Sequence, residues 1–334
     1  MSDKIRIGVL RGMETTFPDA LIANINKVAQ EKKLDIHAEF IKIGGTKMAD
    51  PSGYNVIIDR ISHEVQYYRA FLKNAVLCGA DVINNPFWWS ADDKFFNYAL
   101  AEKMGIPVPK TVVLPSHQHP PNTTSESFRN LIYPLPWDDI FEYVGFPSFL
   151  KPFDGGGWKH VYKIDSKEDF FDKYDQTGDL CMVLQEGIEF EEYYRCYCIG
   201  RRDVHIMQYD PGAPHHERYV KNPKPLEPRM KSTLEKYCID LCEALGYDFN
   251  TLEFAVRKKI PYAIDYMNPA PDCDYYSVTP PNFEWIVEKV TNLAIERALA
   301  VSSPMEPLRW NRFLSGPSHK TSVRGSRKKA KSKA

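Results

Sequence analysis

The sequence has no run approaching the ~18–20 unbroken apolar residues that a membrane-spanning helix needs, so no membrane partner is expected. Its opening, MSDKIRIGVL, places charge directly before a strand-length apolar run. It lacks the longer apolar stretch and small-residue cleavage site of a signal peptide, and the chain is expected to be cytoplasmic. Its glycine run is followed by no Gly-Lys-Ser/Thr, which excludes the Walker phosphate loop, and it is not the dinucleotide fingerprint. No internal repeat is visible. The seven cysteines (Cys78, Cys181, Cys196, Cys198, Cys238, Cys242 and Cys273) are odd in number and mostly sit inside apolar runs. That argues for free, buried thiols rather than disulfides. Cys196 and Cys198, at period 2 on a strand, share a face, and burial explains them better than zinc.

What is present fits a folded enzyme-sized chain. The 334 residues leave room for two or three packed lobes. A hydrophobic share of 43% and a charged share of 26% exclude a collagen-like, disordered or single-zinc-finger protein. The formal net charge of −1 conceals an asymmetry. Residues 316–334 carry seven Lys/Arg and no acid, leaving 36 basic against 44 acidic residues in 1–315, a balance of −8. The tail is rich in Ser, Gly and Lys and has no apolar period, so it reads as disordered. It is a solubilising tail or a weak contact for nucleic acid.

Strand-like runs at Ile5–Leu10, Val56–Asp59 and Asp81–Asn84 alternate with helical periodicity over Asp19–Lys32 and Glu64–Leu77. That alternation predicts a parallel sheet with helices on its faces, here a lobe of residues 1–88. Ser90 and Asp93 have capping-box spacing and predict a helix that runs through Lys94 to Lys103. Residues 115–136 read as a loop or insertion. From Phe146 the pattern turns to β, with strands expected at Ser148–Pro152, Cys181–Gln185 and Tyr194–Ile199. An amphipathic helix follows at Ser232–Leu245, then a hairpin of Leu252–Val256 and Pro261–Met267, then a last helix over Phe283–Ala300. The divisions drawn are 1–88, 89–190, 191–303 and a tail of 304–334.

Three features carry chemistry. The first is Lys151-Pro-Phe-Asp-Gly-Gly-Gly-Trp-Lys159. Three glycines in a row make sense where backbone N–H groups cradle phosphate oxygens, with a strand-end lysine adding a point charge. A plain surface hairpin turn is the alternative. The second is Val183 to Glu192, an apolar strand running into an acidic cluster. It is either a solvated strand end or a nucleotide hinge. The third is a pair of acids inside apolar strands, Glu253 in Thr251–Val256 and Asp265 in Pro261–Pro269 with Asn268 three residues on. Two such carboxylates need a cation, either a bound Mg²⁺ or a nearby arginine.

The order of these parts, Lys94, Lys151, glycine loop, acidic hinge, Arg195, Glu253 and then Asp265 with Asn268, resembles the ATP-grasp superfamily over about residues 85–300. Members include D-alanine–D-alanine ligase and glutathione synthetase. The resemblance implies an α/β fold of α+β lobes: an N-terminal parallel-sheet lobe on the acceptor side, a small β-rich central lid and a C-terminal antiparallel-sheet lobe. It implies ATP and Mg²⁺, or Mn²⁺ in its place, as cofactors. Lys94 and Lys151 look like the lysines on the ATP phosphates, and Gly155, Gly156 and Gly157 with Trp158 and Lys159 like the loop that covers them. Glu186, Gly187 and Ile188 look like the adenine hinge. Glu191 looks like the ribose acid, with Glu189 and Glu192 competing. Arg195 looks like a phosphate or intermediate contact, and Glu253, Asp265 and Asn268 like metal ligands. The family usually has Glu at the second acid and Asn two residues later. Asn268 therefore needs a bulge or turn to join, with Asp272 and Asp274 as rivals.

The implied activity is ligation of a carboxylate to an amine through an acyl phosphate, so the implied partners are a small carboxylate and an amine. A small-molecule kinase and a non-catalytic ATP sensor are the alternatives. For the acceptor, Arg11, Glu14, Arg60, Ser62 and His63 at strand ends are candidates, followed by His215, His216, Asp272, Asp274 and Tyr275. Association as a homodimer is left open.

Overall fold

The computed structural model describes residues 4–300 apart from residues 92, 155–158, 215, 216 and 267. The basic tail and the glycine run therefore lie outside the described residues. None of the described helices is long and apolar enough to cross a membrane.

The first lobe is built from strands β1 (Ile5–Leu10), β2 (Ile36–Phe40), β3 (Val56–Asp59) and β4 (Asp81–Ile83). They form a parallel sheet in the order β2-β1-β3-β4. Helices α1 (Thr16–Glu31) and α2 (Gln66–Leu77) pack on it. β3 is buried along its whole length, as expected of a strand covered on both faces. β2 is absent from the sequence expectation although Ile-His-Ala-Glu-Phe alternates strictly between apolar and polar residues, the period of a half-buried strand.

After the short helix α3 (Pro86–Trp89) comes α4 (Lys94–Lys103). Its cap is Asp93, whose side chain accepts the Phe96 N–H at 2.7 Å. The capping box expected at Ser90 does not form. Ser90 instead hydrogen-bonds back to the Pro86 carbonyl and ends α3. α4 also leaves the central lobe to which sequence division assigned it. Its Tyr98 and Ala101 pack in one apolar cluster with the C-terminal sheet and helix α7 (Pro228–Leu245).

The central lobe consists of β5 (Thr111–Leu114), α5 (Trp137–Val144), β6 (Ser148–Pro152), β7 (Tyr162–Ile164), α6 (Lys167–Asp175) and β8 (Met182–Glu186). Its antiparallel sheet runs β5-β8-β6-β7. Phe141, Leu150, Phe170 and Leu184 fill the space between this sheet and α5 and α6. The residues between, Phe149 and Lys151, therefore face the other way, by the two-residue period of a strand.

The C-terminal lobe carries β9 (Glu192–Ile199), β10 (Asp203–Gln208), β11 (Phe249–Arg257) and β12 (Ile260–Asp265) in the antiparallel order β10-β9-β11-β12. Helix α7 covers one face with Leu234, Cys238, Leu241 and Cys242, against Cys196 and Cys198 of β9. All four thiols are free and buried, as the apolar setting of these residues implies. α7 stops at Gly246, which is left-handed (φ +76°). A Cβ there would lie 2.9 Å from Trp88 Cγ, so a side chain is excluded by space as well as by backbone. The short α8 (Tyr275–Val278) leads to α9 (Pro280–Leu299). α9 returns to the first lobe and lays Ile286, Val290 and Leu293 against Leu21 and Ile25 of α1 and the β1 and β3 residues beneath them. Asn24 donates to Thr291 across that helix pair at 2.9 Å.

Candidate active site

A cleft of about 210 Å³ opens between the central and C-terminal sheets. Lys151 stands on its central-lobe wall, and Glu253 and Asp265 on its C-terminal wall. Both walls follow from strand register. On β6 and β8, Phe149 pairs with Gln185, so Lys151 lies diagonally across from Gln185 on the same face. Lys151 Nζ donates to Gln185 Oε1 at 2.8 Å and to the Tyr98 hydroxyl at 2.9 Å. Gln185 is held in turn by Thr111, its partner on β5, at 2.9 Å.

On the opposite wall, Glu253 of β11 faces Arg195 of β9 on one side and Asp265 of β12 on the other. The three side chains form a row across three strands. Arg195 Nη1 lies 3.6 Å from Glu253 Oε1, and the Tyr193 hydroxyl donates to Glu253 Oε2 at 2.6 Å. The arginine foreseen as an alternative counter-ion for the acids is therefore in place for one of them. Asp265 owes its position to a bulge. Phe254 pairs with Ala263 and Glu253 with Asp265, which leaves Ile264 as an extra residue. Without it, the alternation from Ala263 would turn Asp265 toward α7. With it, the carboxylate opens into the cleft.

The charges divide unequally. Burial raises the Glu253 pKa, and nearby Asp265 raises it further, against the opposing pull of Arg195 and the Tyr193 hydroxyl. Burial also acts to raise Asp265, but Lys94, Lys151 and Arg195 together outweigh it and hold that carboxyl below its ordinary value. Lys94 Nζ stands 3.6 Å from Asp265 Oδ1, and its side chain is almost wholly buried. For Lys151, burial lowers the pKa more than the two acids raise it. Two lysines, one arginine and two carboxylates thus meet at the cleft, with Asp265 the most exposed of the five.

The two acids supply oxygen donors. Asn268 comes close by way of Thr251, two residues before Glu253 on the same face, whose hydroxyl accepts the Asn268 Nδ2–H at 2.9 Å. The amide oxygen of Asn268 has no hydrogen-bond partner among the described residues. Its rivals are engaged in the α8 turn. Asp272 accepts from the Asp274 N–H and the Ser277 hydroxyl, and Asp274 accepts from Thr16 and the Tyr276 N–H. Among the described residues no three His, Cys, Asp or Glu side chains gather into a metal cluster. Two carboxylates and an amide, all oxygen donors, suit Mg²⁺, which takes one or two carboxylates and completes its shell with water and phosphate.

Of the residues read as a hinge, one reaches the cleft. Ile188 lines the cleft with Phe149, Val161 and Phe190, an apolar end suited to a planar base. The Glu186 N–H donates to the Lys110 carbonyl and the Gly187 N–H to that of Pro147, each at 2.8 Å, so these two donors are already used. The Glu186 carboxylate is ion-paired with Arg257 at 2.8 Å. A Cβ on Gly187 would come within 2.6 Å of the Pro147 oxygen. Gly187→Ala is therefore expected to cost about 1–3 kcal/mol by overpacking, read as a lower denaturant midpoint; an unchanged midpoint would mean that the hinge yields freely.

Several expected residues lie elsewhere. Glu191 does not line the cleft, because Ile188 and Phe190 take the inward positions. Its carboxylate accepts the Lys258 N–H at 3.0 Å, in the turn between β11 and β12. Glu189 is exposed, and Glu192 accepts from the Tyr194 hydroxyl at 2.9 Å. Arg60 is buried with Glu14 at 2.9 Å and lies between the rings of Phe17 and Phe249, with no route to the cleft. Arg11 is exposed over Phe40, and His63 is a half-buried loop side chain. Gly155–Gly157, Trp158, His215 and His216 fall outside the described residues; Asp154 and Lys159, which flank the glycine run, line the cleft. Sequence reading missed Tyr98, Gln185 and Arg218. Arg218 approaches the Tyr209 hydroxyl at 3.5 Å, as Arg195 does, and its charge reaches Glu253.

No protein-family model and no curated protein sequence matches the chain. Solved structures do. The D-alanine–D-alanine ligase of Bacillus anthracis complexed with ATP is 14% identical, with a TM-score of 0.60 over 89% of this chain and 99% of that one. A RimK-domain ATP-grasp protein of Sphaerobacter thermophilus is 14% identical, with a TM-score of 0.59 over 87% and 99%. The ATP-grasp ligase PsnB complexed with a minimal precursor is 11% identical, with a TM-score of 0.59 over 88% and 99%. The likeness is one of fold: this chain, with its one parallel and two antiparallel sheets, shares the overall fold of ATP-grasp structures, the fold that the resemblance implied.

Proposed function

We propose that this protein is an ATP-dependent ligase that activates a carboxylate as its acyl phosphate and joins it to an amine. The observation that carries this reading is the cleft itself. Lys94 and Lys151 bring positive charge to the same space as the Glu253–Asp265 pair, beside an apolar end that fits a base. That D-alanine–D-alanine ligase and the ligase PsnB share the fold supports it. The γ-phosphoryl group of ATP passes to a carboxylate oxygen, leaving ADP. The amine then attacks the acyl carbon, loses a proton, and phosphate departs with the C–O bond. This chemistry needs no protein nucleophile.

Lys94 and Lys151 hold the phosphates and offset the charge that spreads over their oxygens during transfer. Arg195 lies in the row of acids and opposes the rise that burial imposes on the Glu253 pKa. Glu253, Asp265 and Asn268 would hold Mg²⁺. A bound Mg²⁺ would order the phosphate oxygens and neutralise their charge. Gly155–Gly157 would cover the phosphates, and Ile188 would read the adenine through its backbone.

The test is phosphate release from Mg²⁺–ATP against amino acids, dipeptides and hydroxy acids, with mass spectrometry of the products. A condensed product with ADP is expected. A phosphorylated hydroxy acid without condensation would make the protein a kinase instead, and ATP binding without turnover on any acceptor would favour a sensor.

A further inference from the structure

Tyr98 joins the parts of the cleft that bear charge. It sits four residues after Lys94 on α4, so the two share a helix face. Its hydroxyl donates to the Ile264 carbonyl at 2.6 Å and accepts from Lys151 Nζ at 2.9 Å. The same ammonium stands 5.3 Å from the centre of the Tyr98 ring. The ring is buried and meets Tyr266 edge-on at 5.7 Å.

A phenol has one proton to give. With that proton committed to Ile264, the oxygen's lone pairs face Lys151, and the direction of the contact is fixed. Burial raises the phenol pKa further, so the group stays protonated wherever the enzyme would work. Ile264 is the bulged residue of β12, next to Asp265. Tyr98 therefore touches Lys151 of the central sheet and the strand end that bears Asp265, from a helix that bears Lys94. Its hydroxyl and the Gln185 amide oxygen together hold the Lys151 ammonium.

We propose that Tyr98 is the positioning residue for Lys151, fixing that ammonium relative to the Asp265 strand so that the two lobes meet the nucleotide phosphates at a set separation. This rests on the ATP-dependent reading above. A purely structural tyrosine would need only its ring, which Tyr98→Phe retains. Loss of one hydrogen bond to a charged group is worth about tenfold in affinity.

The experiment measures binding of a fluorescent ATP analogue with Mg²⁺ to wild type, Tyr98→Phe, Lys151→Met and the double variant, with melting temperatures as the control for folding. Tyr98→Phe gives up the bond to the Ile264 carbonyl and is expected to melt somewhat below wild type while still unfolding cooperatively, to bind about tenfold more weakly, and to lose more in KM for ATP than in kcat. In the Lys151→Met background the same substitution should have no further effect on binding, because Tyr98 acts through that lysine. Wild-type affinity in Tyr98→Phe, or a tenfold loss that persists without Lys151, overturns the assignment. Should Tyr98→Phe not fold, difluorotyrosine at position 98 repeats the comparison, with the same shape and a weaker acceptor. A wild-type protein that binds no nucleotide removes the ATP reading itself, which separates that failure from a failure of Tyr98 alone.

Discussion

Lys151→Ala is expected to lower ATP turnover about a thousandfold, the upper range for removing one group that stabilises developing charge, in a protein that still folds cooperatively. Lys151 is held by a hydroxyl and an amide oxygen rather than by a direct carboxylate partner, so its charge remains available to phosphate. The same isolation has a stability consequence. Burial lowers its pKa from 10.5, so the charged form is disfavoured in the folded state. For a lysine this penalty is full below the folded pKa and disappears above the unfolded one. Lys151→Met, which keeps the aliphatic volume, should therefore melt at or above the wild-type temperature at pH 7. The variant's advantage should shrink as pH rises toward 10.5. Melting curves across that range check the sign, and an advantage that grows with pH would refute the burial argument.

Asp265→Asn is expected to raise the Mg²⁺ concentration for half-maximal turnover by about 10–100-fold and to reduce the maximal rate as well. Asp265 is the acid held ionised by its cationic neighbours, and its carboxylate opens into the cleft. Glu253 is tied by Tyr193 and Arg195, and its pKa is raised by burial. Of the two, Asp265 is the readier donor to an added cation. Glu253→Gln should weaken metal dependence less, while disturbing Arg195 more, because a buried guanidinium then loses its anion. Titration of Mg²⁺ against turnover in the two variants, with direct metal binding as a second readout, orders the effects. Equal Mg²⁺ dependence in both variants and wild type would remove the two acids from the metal site.

The sequence disclosed residue types, and the fold supplied their partners. Lys151, Glu253 and Asp265 stood out because a charge inside an apolar strand demands a reason. The row Arg195–Glu253–Asp265 was not legible, because it depends on register across three strands and on one extra residue at Ile264. Glu191 was misplaced because nearness to the hinge in sequence does not decide which face a side chain takes; Ile188 and Phe190 occupy the cleft side. Arg60 looked like a ligand contact at a strand end, yet Glu14 and two aromatic rings absorb it. Tyr98 and Gln185 carry no motif of their own, and only their contacts to Lys151 reveal them. The parallel and antiparallel lobes were readable from period and order, whereas β2, a strict but short alternation of five residues, was passed over.

The return of α9 to the first lobe has a consequence for how the chain acquires its structure during synthesis. The segment that completes the α1 side of the first core lies more than 200 residues downstream of it. When residues 1–88 leave the ribosome, Leu21 and Ile25 have sheet beneath them but no α9 above, so that apolar face stays open until translation has passed residue 299. The lobes therefore cannot mature one after another in chain order. Of the three lobes, the one made earliest is among the last to be sealed, and its Leu21–Ile25 face stays open to wrong partners while the others are made.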